Sequence, residues 1–522
     1  MKDFDSIELE LFKNRFISIS EEMGAVLGRT ALSPNIKERK DFSCALFNNK
    51  GETFSQGTHI PVHLGAMPLS VQTCLRDINL EEGDLVILND PYRGGTHLPD
   101  ITCVSPVFFK KKLCFLVATR AHHSDVGGMT PGSMPLATEI FQEGIIIPPL
   151  KLVKKRTINE SVLALILANV RTPEERRADL RAQIAANERG SKRLKELVLT
   201  HGLEKIMHYA SLIQDYTESF LRQSLKEIPD GSYSFTDYMD DDGINTESIP
   251  ISVLLTIKGD EALIDFTPTS SQVEGSINAN FAVTLSACLY VFRCLVEEDI
   301  PFNTGLIRPL KIKVSPGSLL NAHFPSAMAG GNVETSQRVV DVLLGALAQA
   351  IPEKIPAASS GTMNNIAVGA FDIRKKKNFA YYETIGGGMG AGKESPGLNG
   401  VHTHMTNSMN TPVEALENYL PLKIRVYKLR RGSGGKGLWN GGEGIIREYE
   451  FFTPAQVTII SERRKFSPYG VSGGEAGKTG RNTLRQDGKN RRLGSKVNIK
   501  VQAGDILRLE TPGGGGYGRK KR

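Results

Sequence analysis

Two β-rich runs joined by a short charged break constrain this chain most. Apolar residues fill positions 101–109 and 113–119, and three lysines separate the two runs. This pattern predicts an antiparallel hairpin. If its turn centres on Lys111, Asp100 lies opposite His122, with Cβ atoms about 4.5–5.5 Å apart. A register shifted by one residue would pair Asp100 with His123 instead.

A third polar residue, His97, comes just before the first of these strands and can fold back toward the same site. Two imidazoles and a carboxylate at open strand ends suit a divalent metal such as Zn, Mn or Fe. The alternative is a hydrogen-bonded rim without a metal. Five of the ten histidines lie between positions 59 and 123, and this density favours the metal.

The composition is that of a soluble globular protein, with 40% hydrophobic and 23% charged residues among 522. No apolar run approaches the roughly 18 residues of a membrane-spanning helix. The polar start is unlike a secretory signal. The six cysteines form no CxxC pair, which is typical of buried thiols in a reducing compartment. We therefore expect a cytoplasmic protein without a membrane partner.

Positive charge is concentrated at the C-terminal end. Positions 421–522 hold 23 lysines and arginines but 8 aspartates and glutamates, an excess of 15. Since the whole chain carries +7, the other residues carry a net charge of −8. The basic region lacks the aromatic interleaving of single-strand binders and any helix-turn-helix or zinc-finger pattern. We expect no nucleic acid; an acidic partner protein or an anionic substrate explains the charge equally well.

The order of predicted elements indicates an α+β fold with mixed sheets, a helical hairpin in the middle and a glycine-rich β region at the C-terminus. Four regions follow: an α/β region with the metal-site hairpin (1–168), the helical hairpin broken at Gly202 (169–226), an α/β central region with glycine-rich loops (227–420) and a basic, glycine-rich β region (421–522). No repeat or low-complexity linker separates them, so we expect one packed body.

Two glycine-rich segments resemble phosphate loops to different degrees. Residues 387–393 match the spacing G-x-x-x-x-G-K, but Glu394 follows where Ser or Thr is needed, and Pro396 prevents the helix that should come next. A structural or substrate-lining turn is the better interpretation. Residues 330–336 precede a predicted helix and would present N–H groups at its start. The alternative there is a plain N-cap by Thr335 or Ser336.

Five motifs in order along the chain, from about Phe4 to Gly518, together resemble the hydantoinase B family. That family includes the B-type component of ATP-dependent N-methylhydantoinases, the C-terminal half of oxoprolinases, and a large subunit of acetone and acetophenone carboxylases. The motifs are Ile36-Lys37-Glu38-Arg39-Lys40-Asp41-Phe42-Ser43-Cys44-Ala45-Leu46-Phe47, the loop from Asn89 to Asp100, His122-His123-Ser124-Asp125-Val126-Gly127-Gly128, Gly330-Gly331-Asn332-Val333-Glu334-Thr335-Ser336-Gln337-Arg338 and Pro512-Gly513-Gly514-Gly515-Gly516-Tyr517-Gly518.

The resemblance implies a hetero-oligomer. In the family, an actin-like A-type subunit phosphorylates the substrate oxygen with ATP and Mg²⁺, and the B-type subunit processes the activated species. The carboxylase branch holds a metal, reported as manganese, through an H-x-x-D motif and a later histidine. His97, Asp100 and His122 occupy the matching positions. This chain has no convincing ATP site, which agrees with ATP and Mg²⁺ being bound by a partner.

The leading functional prediction is hydrolytic opening of a cyclic amide, such as a hydantoin or 5-oxoproline, after phosphorylation on the partner. A metal on the three matched residues would activate water or stabilise the tetrahedral intermediate. Asp125 or His123 would act as base or shuttle. Asp41 either lines the same cleft or is ion-paired structurally. The predicted phosphate-binding residues are Gly330, Gly331, Asn332, Glu334, Thr335 and Ser336, with Arg338 nearby.

Two other functions fit the sequence. One is a subunit of an ATP-dependent acetone or acetophenone carboxylase, which shares the activation step but joins an enolate to carbon dioxide. The other is a non-catalytic scaffold whose glycine-rich β region docks the ATPase subunit.

Overall fold

The computed structural model describes residues 5–520. Helices and mainly antiparallel sheets are interleaved along this range, so the fold is α+β as predicted. The helices are α1 (Ser6–Thr30), α2 (Pro34–Lys37), α3 (Ala66–Asp77), α4 (Glu160–Ala168), α5 (Pro173–His201), α6 (Leu203–Lys226), α7 (Phe281–Cys294), α8 (Ser336–Ala350) and α9 (Val413–Tyr419).

The strands form four sheets. The first contains β1 (Phe42–Asn48), β2 (Thr53–Gln56), β3 (Leu85–Leu88), β4 (Asp100–Phe109), β5 (Lys112–His122), β6 (Leu150–Lys154) and β7 (Thr157–Ile158); the second contains β8 (Gly231–Met239), β9 (Ile249–Lys258), β10 (Glu261–Asp265) and β11 (Leu310–Lys313). The other two contain β12 (Asn365–Asp372), β13 (Lys377–Glu383), β14 (Leu422–Arg430), β15 (Gly444–Phe451), β16 (Ala455–Ile460), β17 (Arg481–Gln486), β18 (Lys489–Leu493), β19 (Lys496–Val501) and β20 (Ile506–Glu510).

The first sheet has the order β2-β1-β5-β4-β3-β6-β7 and contains the predicted hairpin as β4 and β5. Its turn consists of Lys110 and Lys111, both with positive φ. Asp100 is paired with His122, as predicted, but the turn does not centre on Lys111: it pairs Phe109 with Lys112, and a β-bulge at Val107/Phe108 shifts the register by one residue. Helices α1 and α5 cover one face of this sheet, and α3 covers part of the other.

On the face toward α3, side chains change from apolar to polar at one end of the strands. Because side chains alternate between faces, paired positions across β1, β5 and β4 form rows. The apolar row is Ala45, Ala118 and Val104; the next is Ser43, Arg120 and Thr102; the last is Asp41, His122 and Asp100. The last row contacts the central region through Tyr382 and Asn332, whereas Arg120 in the row before it contacts Ser70 of α3 and Gly94.

The predicted helical hairpin is formed by α5 and α6, which meet at Gly202. The φ of Gly202 is +85°, in the region that favours glycine. Helix α5 packs on the first sheet, where Gln183 donates to the carbonyl of Ile101 and Asn187 donates to that of Cys103. The hairpin therefore supports the strand that carries Asp100.

The second sheet, β11-β10-β9-β8, packs against α7 and α8 around the largest apolar core. The third, β13-β12-β16-β19, joins strands from both sides of position 420, and the fourth has the order β14-β15-β20-β17-β18. The sheet that crosses position 420 ties the glycine-rich C-terminal region to the central one. No helix in residues 5–520 is both long and apolar enough to span a membrane.

The glycine runs pack backbone against backbone. Gly514 donates to the carbonyl of Gly442, Gly442 donates to that of Met389, and Ala391 donates to that of Gly515, at 2.8–3.0 Å. Such close approach leaves no room for a Cβ atom. Residues 387–393 belong to this glycine layer and are not followed by a helix, because the next described helix is α9.

Candidate metal centre

Three buried side chains meet at the polar end of the first sheet. Asp100 Oδ1 lies 3.3 Å from His97 Nε2 and 3.2 Å from His122 Nδ1, and the two nitrogens are 3.2 Å apart. A tetrahedral ion with ligand bonds of about 2.0 Å requires ligand atoms about 3.3 Å apart. The three atoms therefore fit a divalent metal, whose remaining coordination positions would stay open to ligands.

Neighbouring groups orient both imidazoles. His97 Nδ1 lies 3.2 Å from the carbonyl of Ala329, so it carries the proton and leaves the Nε2 lone pair facing Asp100. The ring of His122 stacks on Tyr382 with centroids 4.5 Å apart and an interplanar angle of 18°. Apart from the two imidazoles that face it, Asp100 Oδ1 has no hydrogen-bond partner among the described residues. A buried carboxylate oxygen in this state is suited to a cation.

The second oxygen of Asp100 is held by three groups. Asp100 Oδ2 accepts from Thr96 Oγ1 at 2.5 Å and from Asn332 Nδ2 at 3.4 Å, and it lies 3.3 Å from His63 Nε2. His63 is itself fixed by Ser43, whose Oγ is 2.9 Å from Nδ1. These contacts set the orientation of the carboxylate and leave Oδ1 facing the two imidazoles.

The protonation states of the cluster suit a metal ligand set. Burial raises the pKa of Asp100, but the nearby His97 and His63 and hydrogen bonds from His122 and His63 outweigh it and hold that pKa well below its usual value. Burial lowers the pKa of His122, against the opposing effect of its hydrogen bond to Asp100. An ionised carboxylate and a neutral imidazole are the forms that bind divalent metals.

Glu143 fixes the segment that orients His97. Its Oε1 accepts from the backbone N–H groups of Met328 and Ala329 at 2.8 Å each, and its Oε2 has no partner among the described residues. Burial raises the pKa of Glu143 from 4.5 to about 8. Ala329 is thus held on its N–H side by Glu143 and on its carbonyl side by His97.

This raised pKa predicts a pH dependence of stability. Between pH 4.5 and about 8 the folded state retains a proton that the unfolded state has lost, so the contribution of Glu143 to stability falls as the pH rises. The slope is about 1.4 kcal/mol per pH unit. Glu143→Gln keeps an oxygen acceptor but does not titrate, so its free energy of unfolding should fall less between pH 6 and pH 8. Urea titrations of both proteins at these pH values test this, and equal slopes would contradict it.

His123 and Asp125 point away from the cluster. His123 lies on the other face of the sheet, where Nε2 is 3.0 Å from Gln183 Oε1, and burial with the nearby Arg176 lowers its pKa to about 4. Asp125 accepts from the N–H groups of Gly127 and Gly132 and from both the backbone and side chain of Arg171. The structure therefore places both predicted catalytic residues in supporting networks.

Asp41, by contrast, lies in the same row as His122 and Asp100. Its carbonyl accepts from the N–H of His122 at 3.0 Å. Its carboxylate is 3.6 Å from the buried guanidinium of Arg39, which also donates to the carbonyl of Tyr382. Asp41 is thus ion-paired and also borders the cluster, so both interpretations from the sequence apply to it.

The segment predicted to bind phosphate forms one turn of π-helix, Gly331–Thr335, before α8. Most of its polar groups are used internally. The N–H groups of Gly330 and Gly331 donate to the carbonyls of Ser276 and Met328, and the hydroxyls of Thr335 and Ser336 donate to the carbonyls of Ile277 and Asn332. The carboxylate of Glu334 accepts from the N–H of Met363 and from the amide of Asn365. Arg338 is ion-paired with Asp237 and Asp341. Asn332 is the member that reaches the cluster, through Asp100.

Comparison with known proteins identifies the family. The model of the family described as hydantoinase B/oxoprolinase matches residues 5–520. The chain belongs to this family. It is 44% identical to 5-oxoprolinase 1 of Arabidopsis thaliana over 98% of its own length, but covers 42% of that protein. It is 31% identical to the B-type component of a putative D-/L-hydantoinase of Pseudomonas sp. strain NS671, over 99% of its length and 90% of that protein.

Structural comparison agrees with the family. The ATP-dependent caprolactamase from Pseudomonas jessenii superposes with a TM-score of 0.92 at 28% identity, over 99% of this chain and 92% of that one. The resemblance to the hydantoinase B family drawn from the five sequence motifs is therefore confirmed.

Two residues that contact the centre of this hydantoinase B protein are not singled out for that role by the sequence. His63 stands out only as one of several histidines in a dense polar stretch, and Asn332 belongs to the segment predicted to bind phosphate. Both come from segments outside the hairpin, so its register could not place them. Proximity in sequence to the other histidines is the one available signal for His63.

The contact of His63 with Asp100 gives a testable effect. His63→Ala removes a group that orients the metal-facing carboxylate, so metal affinity should fall about 10–100-fold. Competition with a chromophoric chelator measures the dissociation constant. His323→Ala is the control, since His323 is exposed and should leave the affinity unchanged. Equal affinities for the two variants would exclude the orienting role.

Proposed function

We propose that this chain is the B-type subunit of an ATP-dependent cyclic amidohydrolase. It hydrolyses a lactam or imide ring that an A-type ATPase subunit has activated by phosphorylation. The observation that carries this proposal is the converging donor set of His97, Asp100 and His122 in a chain of the hydantoinase B/oxoprolinase family. Relatives named for oxoprolinase, hydantoinase and caprolactamase activity favour hydrolysis of an amide over carboxylation of a ketone.

The donor set would hold Mn²⁺, Zn²⁺ or Fe²⁺ through His97 Nε2, Asp100 Oδ1 and His122 Nδ1. When bound, such an ion acts as a Lewis acid and lowers the pKa of coordinated water. The chain orients these ligands: the carbonyl of Ala329 sets the tautomer of His97, and Tyr382 packs against His122.

Asp41 is the acid/base group of this proposal. Its backbone carbonyl accepts from the N–H of His122, and its carboxylate is near enough to oppose the lowering of the pKa of that imidazole; a carboxylate there can accept a proton from water. Asp125 and His123 are not acid/base groups in this proposal; they hold the C-terminal end of β5 in place. Asp125 fixes the loop after β5 through Arg171, and His123 links that strand to α5 through Gln183. Asn332 contributes its amide beside Asp100.

The partner is the second part of the proposal. The chain spans less than half of the plant 5-oxoprolinase but nearly all of the B-type component of the bacterial hydantoinase. An A-type ATPase, separate or fused, would supply ATP and Mg²⁺, and the functional unit would be a hetero-oligomer. The basic residues of positions 421–522 offer a surface for an acidic partner.

Reconstitution tests the proposal. The chain is co-purified with the candidate A-type subunit, and ATP hydrolysis and product formation are followed with 5-oxoproline, hydantoin, and acetone plus bicarbonate. Ring opening that depends on ATP and on both subunits is the expected result. Carboxylation of acetone without ring opening would replace hydrolysis by the carboxylase function. Turnover that persists in His97→Ala with an intact complex would favour the scaffold.

A further inference from the structure

Among residues 5–520, no carboxylate oxygen lies within 4.0 Å of the buried cation Arg120, and the charge of Asp100 in the adjacent row acts on it from farther away. Six arginines among residues 5–520 have completely buried side chains: Arg39, Arg120, Arg176, Arg338, Arg447 and Arg463. Five of them have a carboxylate oxygen within 4.0 Å, and Arg120 has none. Burying a guanidinium without a counter-ion is costly, so the exception calls for an explanation.

The contacts of Arg120 are neutral and incomplete. Its Nε donates to Thr102 Oγ1 at 2.8 Å, and its Nη2 donates to Ser70 Oγ at 2.7 Å and to the carbonyl of Gly94 at 3.2 Å. Its Nη1 is buried and has no acceptor among the described residues. The guanidinium is thus held in a fixed orientation with one donor group unused.

The position of Arg120 connects the metal centre with a cavity. Arg120 is two residues before His122 on β5, so the two side chains share a face of the sheet in adjacent rows. Gly94, which accepts from Arg120, lines a cavity of about 290 Å³. The wall also contains Arg76, Arg93 and Asn280.

Hydrogen bonds through Thr96 link the wall of this cavity to Asp100. Asn280 donates to the carbonyl of Thr96, and the hydroxyl of Thr96 donates to Asp100. The cavity is near the lower end of the range for small-molecule sites, which suits a five-membered ring with one anionic group. Its two arginines are already ion-paired, Arg76 with Asp77 and Arg93 with Asp77 and Asp90, which leaves Arg120 as the nearby guanidinium without a carboxylate in contact.

We propose that Arg120 binds an oxyanion of the substrate beside the metal centre, with Nη1 as the donor that the ligand engages. The bound oxygen replaces the carbonyl of Gly94 as a partner of the guanidinium, because the 3.2 Å contact to Gly94 is the longest of the three. Arginine is suited to this task, since its planar fork binds carboxylate and phosphoryl oxygens through two hydrogen bonds. The inference rests on the proposed function, because it places the substrate at the same centre.

The oxyanion has two sources in such a substrate. One is a ring carboxylate, as in 5-oxoproline, and the other is the phosphoryl group added on the partner. Both offer the same chemistry to a guanidinium. Binding of inorganic phosphate and of 5-oxoproline to the metal-loaded full chain, each measured by calorimetry, separates them. Loss of phosphate binding in a variant indicates the phosphoryl group, and loss of 5-oxoproline binding alone indicates the carboxylate.

The variants are Arg120→Gln, Arg120→Lys and Thr119→Val. Arg120→Gln should weaken binding of at least one probe by about tenfold or more, since it removes a charged hydrogen bond. Arg120→Lys should give an intermediate loss, because it keeps the charge but not the fork. Thr119→Val is the matched control: Thr119 is the buried neighbour of Arg120 on β5 and points to the opposite face, toward Gln183, so this variant should bind both probes as the parent does.

Wild-type affinity of Arg120→Gln for both probes, with an unchanged melting temperature, would overturn the inference. If that variant does not fold, the comparison of Arg120→Lys with Thr119→Val decides, and equal binding by the two overturns it. Turnover in the reconstituted complex distinguishes a failure of the proposed function from a failure of the inference about Arg120. Absence of ring opening by the parent complex contradicts the proposed function, whereas the binding result applies to Arg120 alone.

Discussion

His122→Ala should abolish stoichiometric metal binding and lower ring-opening turnover by more than about 100-fold. The substitution removes one of three converging donor atoms and leaves Asp100 Oδ1 facing His97 alone. Removing a group that merely orients a ligand costs about 10–100-fold, so loss of a ligand should exceed that range. Metal content after dialysis and turnover in the reconstituted complex are the two measurements.

His123→Ala is the matched control for this prediction. The two histidines are adjacent at the end of β5, both are buried, and they point to opposite faces of the sheet. His123→Ala should therefore retain the metal, although loss of its contact with Gln183 will lower stability. Metal loss in His123→Ala together with retention in His122→Ala would show that the one-residue register shift applies in solution.

The metal-site hairpin could be predicted because local rules determine it. The turn between two apolar runs predicts the hairpin, but the turn alone would place Asp100 opposite Ala121, and a β-bulge at Val107/Phe108 shifts the pairing to His122. The alternation of side chains then decides which residues share a face. The same alternation puts Arg120 beside His122, but the sequence does not show that Arg120 lacks a counter-ion. That fact depends on which groups of α3 and of the loop around Gly94 contact its guanidinium, and in the folded chain these are the neutral Ser70 and the carbonyl of Gly94.

Other contacts of the centre depend on long-range packing. Asn332 lies 232 positions from Asp100, and Ala329 lies 232 positions from His97. No periodicity within either segment relates them. The polar groups of 330–338 also illustrate a limit of motif reasoning, because a glycine-rich turn before a helix has the composition of an anion site whether or not its N–H groups are already bonded.

The glycine runs are ambiguous in the sequence for a different reason. A run without side chains has no hydrophobic pattern that could specify the segment it packs against. The sequence therefore indicates that the backbone of each run lies close to another group, but it does not identify that group. The structure shows that the runs approach one another. Residues 386–392 lie between the segments 440–442 and 513–515, joined by main-chain hydrogen bonds.

Gly390→Ala should therefore destabilise the protein by about 3 kcal/mol or more, at the upper end of the usual cost of overpacking. A Cβ atom on Gly390 would lie 1.7 Å from the carbonyl oxygen of Ala357, and main-chain atoms in a hydrogen-bonded layer cannot move aside as a flexible side chain can. Gly392→Ala is the control two residues away, where the nearest atom is Ser395 Oγ at 3.5 Å, and its effect should stay within about 0.5 kcal/mol. The midpoint of urea denaturation measures both. If the two variants unfold at the same urea concentration, the tight backbone layer is not what requires glycine at position 390.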